Sequence, residues 1–369
     1  MAAALMINVS AFACTSAIVS ASANPYGRPI LWKHRDTSTI DNKVEYVEPS
    51  DGNFGYTALY NAADHNLKEA WIGMNDAGFA VMNTASYNIK DDKVSAKKMD
   101  KEGIVMKRAL ETCRTVDDFQ HLLDTWPRPM GVEANFGVID AEGNGAYFET
   151  NNHSYVKFDL NDAPGGVLVR TNYSHCGRKN EGYGYVREAN AECLLQPYID
   201  SHNVTADVLT EIISRTFYHD GKKKDFTNSE EKNLLDEDFI PRYKSTATIA
   251  IEGCVPIENI ADVTPEFVER QYIMWTGIGY PPVAEIRAVR NGKDGVPQEL
   301  KGSLPDGHSP LGDKAKKIRN DVFNPSKSKG NKYLDISKLY NREGTGYAQK
   351  AIELNRKTYA DERRKREGK

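Results

Sequence analysis

The sequence predicts an α+β protein built on antiparallel sheets, and three observations predict it. The elements run strands, helices, strands, helices, strands. Neighbouring strand signals are joined by short, turn-rich connections, as in hairpins and not in crossover units. The chain, at 369 residues with 40% hydrophobic side chains, can bury a sizeable core as one large domain or two ordinary ones.

The first element is a hairpin from Cys14 to Asp36. CTSAIVSA is rich in small and β-branched residues, NPYG (Asn24 to Gly27) reads as a turn, and PILWKHRD resumes as a strand. A turn centred near Pro25 and Tyr26 sets Cys14 across from the neighbourhood of Arg35 and Asp36, within two residues of register. A meander follows in YTALYNA, EAWIGMN and GFAVMN, the last two joined by a turn at Asn75, Asp76, Ala77 and Gly78. Ile104, Val105, Ala109 and Leu110 share a helical face, as do Val116, Phe119, Leu122 and Leu123 in a second helix whose first turn carries Asp117 and Asp118. Strands return at ANFGVIDAEG, GAYFET, SYVKFDL and GVLVRTN (Gly166 to Asn172). Helices are expected around Val186 to Tyr198 and from Thr205, a suitable N-cap, to Phe217 with Leu209, Ile212 and Ile213 buried. Ser245 to Gly253 and Tyr272 to Gly279 read as the last strands, and no internal repeat is visible.

Composition narrows the function. A net charge of −4 and a pI near 6.1 lack the basic excess that neutralises phosphates, so nucleic acid is not an expected partner. No stretch reaches the roughly 20 apolar residues of a membrane span. The longest apolar cluster, Ala2 to Ala13, ends in Ala11, Phe12 and Ala13, the small-x-small pattern read by signal peptidase, with Cys14 directly after it. Residues 1–13 are thus expected to be a removed signal peptide or propeptide, and the protein to be exported, periplasmic or extracellular. The apolar run is short and no Lys or Arg precedes it, which leaves open a buried first strand beginning at Met6. Residues 14–310 would form the catalytic domain. Residues 311–369 carry 17 Lys or Arg against 8 Asp or Glu and read as a basic tail, helical or partly disordered and appended to the core, with an acidic partner or anionic membrane surface as the alternative use.

Common catalytic and ligand motifs are missing: no G-x-S-x-G, no Walker loop, no H-E-x-x-H, and eight scattered histidines. The five cysteines, Cys14, Cys113, Cys176, Cys193 and Cys254, have neither metal-finger nor redox-motif spacing. No metal or cofactor is implied. What remains is Cys14 beside a cleavage signal. A free N-terminal cysteine carries its own base, because its α-amine, with an ordinary pKa of about 7.7 to 8, can take the thiol proton directly or through one water. Cys14 as a small hydrophobe on a strand, or as a lipid-bearing cysteine of an exported binding protein, are the alternatives.

The segment CTSAIVSASANPYGRPILWKHRDT resembles the first hairpin of the cysteine-type N-terminal-nucleophile (Ntn) hydrolases, the group of bile-salt hydrolases, penicillin V acylase, acid ceramidase and the acyl-CoA:6-aminopenicillanic acid acyltransferases. There a cysteine opens the strand and a motif like G-R-N-x-D closes its partner. Here Lys33, His34, Arg35 and Asp36 stand at that place, so Asp36 matches while Lys33 occupies the usual Arg position, with Arg35 two residues on. GMNDAGFAVMN is similar to the group's G-x-N-E-x-G-L turn and strand, ending in Asn83. RTNYSH resembles the T-N-Y segment and supplies Asn172, and YVRE supplies Arg187. The resemblance spans roughly Cys14 to Gly279 and implies a four-layer αββα sandwich. It implies further that Asp36 holds the α-amine, that Lys33 or Arg35 favours the thiolate, that Asn83 and Asn172 donate to the oxyanion, and that Arg187 completes the site. The expected activity is hydrolysis of a linear amide in a small N-acylated molecule or short peptide, through an acyl-thioester on Cys14. Acyl transfer to an amine would use the same residues.

Overall fold

The computed structural model describes residues 13–229, 231–236, 238–325 and 332–366. The apolar leader up to Phe12 lies outside them. Two antiparallel sheets form the centre. Strands β1 (Thr15–Val19) and β2 (Ile30–Asp36) make the predicted hairpin, closed by the Asn24 turn in which Gly27, at φ +63°, donates its N–H to Asn24 O. Thr15 pairs with His34 and Ser16 with Lys33, so the register carried one residue further sets Cys14 against Arg35, inside the expected window.

Strands β3 (Asn42–Val47), β4 (Tyr56–Asn61), β5 (Ile72–Asn75), β6 (Ala80–Ala85), β7 (Ala134–Ile139), β8 (Gly145–Thr150) and β9 (Tyr155–Asp159) form a seven-stranded meander, each beside the next. The second sheet has six strands: β10 (Val167–Arg170), β1, β2, then Ser245–Glu252, Ile273–Ile278 and Arg287–Val289. Asn75 ties the β5–β6 turn to its neighbours. Its carbonyl oxygen accepts from Ala77 N and Phe79 N, and its amide donates to Leu110 O and Cys113 O.

Strand alternation sorts the core into three layers of packing. Ile18, Leu31, Met74, Met82, Ile249 and Met274 meet between the sheets. On the outer face of the seven-stranded sheet, Val81, Phe136 and Phe148 receive Leu110 of α1 (Glu102–Thr112) and Phe119 of α2 (Val116–Thr125). On the outer face of the six-stranded sheet, Ala17, Trp32 and Ala250 receive Ala191 and Leu195 of α3 (Tyr185–Asp200) and Leu209 and Ile213. Helix, sheet, sheet, helix is the αββα sandwich expected.

Two elements depart from the sequence reading. Where an α-helix from Thr205 is predicted, Val208–Ile213 is π-helical, with Ser214 N–H donating to Leu209 O at 3.1 Å. The extra residue in the turn accompanies a second set of contacts, Ser214 Oγ to Thr248 Oγ1 at 2.7 Å and Arg215 to the carbonyls of Pro282 and Ala284. The basic tail, expected as an appendage, packs onto the core. Its described part contains helices Pro310–Val322, Ile336–Leu339 and Tyr347–Arg366, and Tyr359 lies on Trp275 with ring centroids 4.4 Å apart. Ala348, Ala351 and Tyr359 form a narrow buried stripe that overall composition hides. All five cysteines are unpaired, and no described helix is long and apolar enough to cross a membrane.

Candidate active site around Cys14

Because side chains alternate along a strand, β2 divides its four polar residues between two faces. Lys33 and Arg35 point with Leu31 into the space between the sheets, on the same side as Cys14. His34 and Asp36 point with Trp32 toward α3. The thiol face and the main-chain face of Cys14 therefore have different neighbours.

On the thiol face, Cys14 Sγ lies 3.7 Å from Asp36 O and opens on a cavity of about 510 Å³ that Lys33, Arg35, Trp71 and Asn83 also line. Lys33 is 2% exposed and donates to Trp71 O at 2.9 Å and to Asn83 Oδ1 at 2.8 Å. Burial pushes its ammonium down to about 7, against the opposing pull of a charge on Cys14 and with the Arg35 charge adding to the fall. Arg35 lies over the Trp71 ring, 5.0 Å from its centroid, and donates to Asn42 Oδ1 and Asn61 Oδ1. With Asn83 Oδ1 turned to Lys33, its amide N–H₂ is left for the cavity.

On the other face, Asp36 is held by three donors. Arg242 gives two bonds to Oδ2, at 2.6 and 3.2 Å, and Ser245 Oγ donates to Oδ1 at 2.5 Å. His34 Nε2 is 2.8 Å from the same Ser245 Oγ. Burial drives its pKa down to about 4, so at neutral pH His34 is uncharged and donates to Ser245, whose own proton goes to Asp36.

Arg187 reaches this face from the first turn of α3. Gly184, the residue before that helix, has φ +100°, and a Cβ there would meet Arg187 Nη2 at 2.5 Å and Thr171 Oγ1 at 2.7 Å, so glycine keeps the path open. Arg187 Nη1 donates to Cys14 O at 2.5 Å, Thr15 Oγ1 at 3.1 Å and Ala13 O at 3.2 Å, and Nη2 donates to Asn172 Oδ1 at 2.9 Å. Burial, then the Arg242 charge, lowers its pKa to about 9. Arg242 Nη2 also donates to Ala13 O, at 2.9 Å. The carbonyl of the 13–14 peptide is thus held by two guanidinium groups. Asn172 Nδ2 donates to Ala85 O at 2.8 Å, so in this arrangement Asn172 links Arg187 to the end of β6.

All seven residues singled out in the sequence, Cys14, Lys33, Arg35, Asp36, Asn83, Asn172 and Arg187, gather around the start of β1. Sequence reasoning missed Arg242 and Ser245. Arg242 precedes Ser245–Glu252, which pairs with β2 in the register Ser245 with Asp36. No local signal announces a pairing across more than 200 residues.

Residues 35–214 match the family described as acyl-coenzyme A:6-aminopenicillanic acid acyl-transferase. Solved structures similar to the chain include an N-acylethanolamine-hydrolyzing acid amidase ortholog from Caenorhabditis elegans, with 13% identity, 69% of this chain and 97% of that chain covered and a TM-score of 0.39. A mutant conjugated bile acid hydrolase from Clostridium perfringens has 11% identity, 75% and 92% coverage and a TM-score of 0.44. Penicillin V acylase from Agrobacterium tumefaciens has 10% identity, 75% and 86% coverage and a TM-score of 0.37. No curated protein matches the chain. The family match begins at Arg35, so Cys14 lies outside it.

Proposed function

We propose, from the match of residues 35–214 to the acyl-coenzyme A:6-aminopenicillanic acid acyl-transferase family and the resemblance of the chain to the Ntn hydrolases, that this protein cleaves linear amide bonds with Cys14 as the nucleophile. The observation that carries the reading is the position of Cys14 at the mouth of a cavity, with the carbonyl of the preceding residue gripped by Arg187 and Arg242. Loss of residues 1–13 would leave an α-amine on Cys14 itself. That amine takes the thiol proton, and the sulfur attacks the substrate carbonyl. The oxyanion receives the free amide of Asn83, and with a rearranged side chain that of Asn172, and each such donor is worth on the order of a hundredfold in rate. Collapse of the tetrahedral intermediate expels the amine, which takes back the proton, and leaves an acyl-thioester on Cys14. Water attacking that thioester completes hydrolysis.

Ala13 and Cys14 are 5% and 6% exposed, so in the folded chain the 13–14 bond is closed to an outside protease. Export with signal peptidase acting before folding, the reading that Ala11, Phe12 and Ala13 support, satisfies this constraint, as does cleavage by Cys14. The family's name favours a second reading of the last step, in which an amine and not water takes the acyl group. Product analysis with and without an added amine acceptor separates the two. In either case Cys14→Ala abolishes turnover while keeping the native circular dichroism spectrum, and Cys14→Ser retains little; full activity of the alanine variant would end the proposal.

A further inference from the structure

The cavity at Cys14 has two walls of opposite character. Lys33 and Arg35 stand beside the thiol. Much of the remainder is acid: Glu69, Asp100, Glu102 and Glu133 line the same space. They come from three separated segments, the approach to β5, the N-terminal end of α1 and the loop before β7. Asp100 acts electrostatically on each of the other three, so the four form one cluster.

The fold uses this cluster only in part. Glu102 suits the first turn of α1, and its Oε1 accepts from Glu133 N at 3.0 Å. Asp100, just before α1, shares that helix end, whereas Glu69 and Glu133 have none to complement, and the repulsion among the four opposes folding. Burial first, then the neighbouring carboxylates, raise Glu69, Glu102 and Glu133, Glu102 to about 7. Cations answer them weakly. Arg35 acts on Glu69 but bonds to Asn42 and Asn61, and Lys90 lies 3.7 Å from Glu133. Asp100 and Glu102 have no ion-pair partner among the described residues. Glu133 Oε1, the oxygen that faces Lys90, has no hydrogen-bond partner within 3.5 Å. Tyr87 adds an aromatic face to the same lining, and such faces attract ammonium groups.

We propose that this wall selects amides carrying a primary ammonium group, which lies among Glu69, Asp100, Glu102 and Glu133 while the scissile carbonyl reaches Cys14; the inference rests on the amidase reading above. A neutral acyl amide leaves the carboxylates unanswered, whereas an ammonium supplies three donors and a positive charge in a partly desolvated space.

Two matched pairs test it with the processed protein: aminohexanoyl against heptanoyl anilide, and the hexanoyl amides of diaminobutane against pentylamine. In at least one pair the ammonium member is expected to have a kcat/KM at least about 5-fold higher, the equivalent of one modest ion pair. Joint Glu102→Gln and Glu133→Gln substitution is expected to bring that ratio close to one. If the double variant does not fold, Glu69→Gln is read the same way. Neutral members cleaved as fast in both pairs, or a ratio the substitutions leave intact, would overturn the inference. Should no amide be cleaved, the amidase reading fails separately, and calorimetric binding of the four compounds decides: tighter ammonium binding that the variants lose supports the acidic wall, and equal binding refutes it.

Discussion

Lys33 is the residue through which pH enters the account. Its ammonium is buried between the sheets and titrates at about 7, so it is charged below that pH and neutral above it. It fixes Asn83 Oδ1 and stands beside Cys14, so in the proposed mechanism loss of its charge weakens support for negative charge on the sulfur and the developing oxyanion. The α-amine of a processed Cys14 acts in the opposite sense, since it must be neutral to serve as base and ordinarily titrates at about 7.7 to 8. The expected profile is a bell with a descending limb set by Lys33. A guanidinium stays protonated throughout this range, so Lys33→Arg is expected to move the descending limb of kcat/KM to higher pH. A limb at the same pH in the variant would show that Lys33 is not the titrating group. The pair of chemical types at 33 and 35 was readable because the hairpin turn sets the register. Which of them bonds to Asn83 was not, since that depends on β6, 50 residues away.

At the scale of elements, the β1–β2 hairpin places Cys14, the start of α1 lends Glu102 to the cavity, and α2 on the far face of the meander only supports the sheet. Helix α2 illustrates the division. Thr115 caps it with a full capping box, its side chain accepting from Asp118 N at 3.1 Å while Asp118 Oδ2 accepts from Thr115 N at 3.0 Å. Thr115→Ala is therefore expected to lower unfolding stability by about 1 kcal/mol in urea titration. It should leave kcat/KM unchanged, because α2 packs in the outer layer with Phe119 and Leu123 and not on the cavity. Hairpins and amphipathic helices such as these were legible in the sequence because their signals are local. The π-helical turn at Val208–Ile213 was not, because its apolar pattern reads equally well as α-helix and its distinguishing bonds run to Thr248, Pro282 and Ala284. Arg242 and Ser245 were missed for the same reason: the hold on Asp36 comes from a strand far along the chain.

Across the whole molecule, one sandwich serves both as core and as the frame of the site. Ser16 Oγ meets Tyr147 OH at 2.8 Å between the two sheets, two residues from Cys14, so relative sliding of the sheets would displace Cys14. The C-terminal helix belongs to this frame. Tyr359 is 3% exposed, stacks on Trp275 and hydrogen-bonds Thr210, covering the outer face of the six-stranded sheet. Tyr359→Ala is expected to cost about 3 kcal/mol in chemical denaturation, the usual scale for emptying a buried aromatic site, where a detached tail would cost nothing. Composition misled here because 17 basic residues outnumber the few apolar ones that do the packing. The acidic wall of the cavity was likewise invisible in the sequence, its members being assembled from segments that read as loops and a helix start. The central claim remains that Cys14 becomes the first residue and carries the acyl group. Intact and peptide mass spectrometry of the protein quenched during turnover of an acyl amide tests it directly. The expected species is a chain lacking residues 1–13 with one acyl mass on Cys14, absent from Cys14→Ala; turnover by a chain that retains those residues, or an acyl group on another side chain, would rule it out.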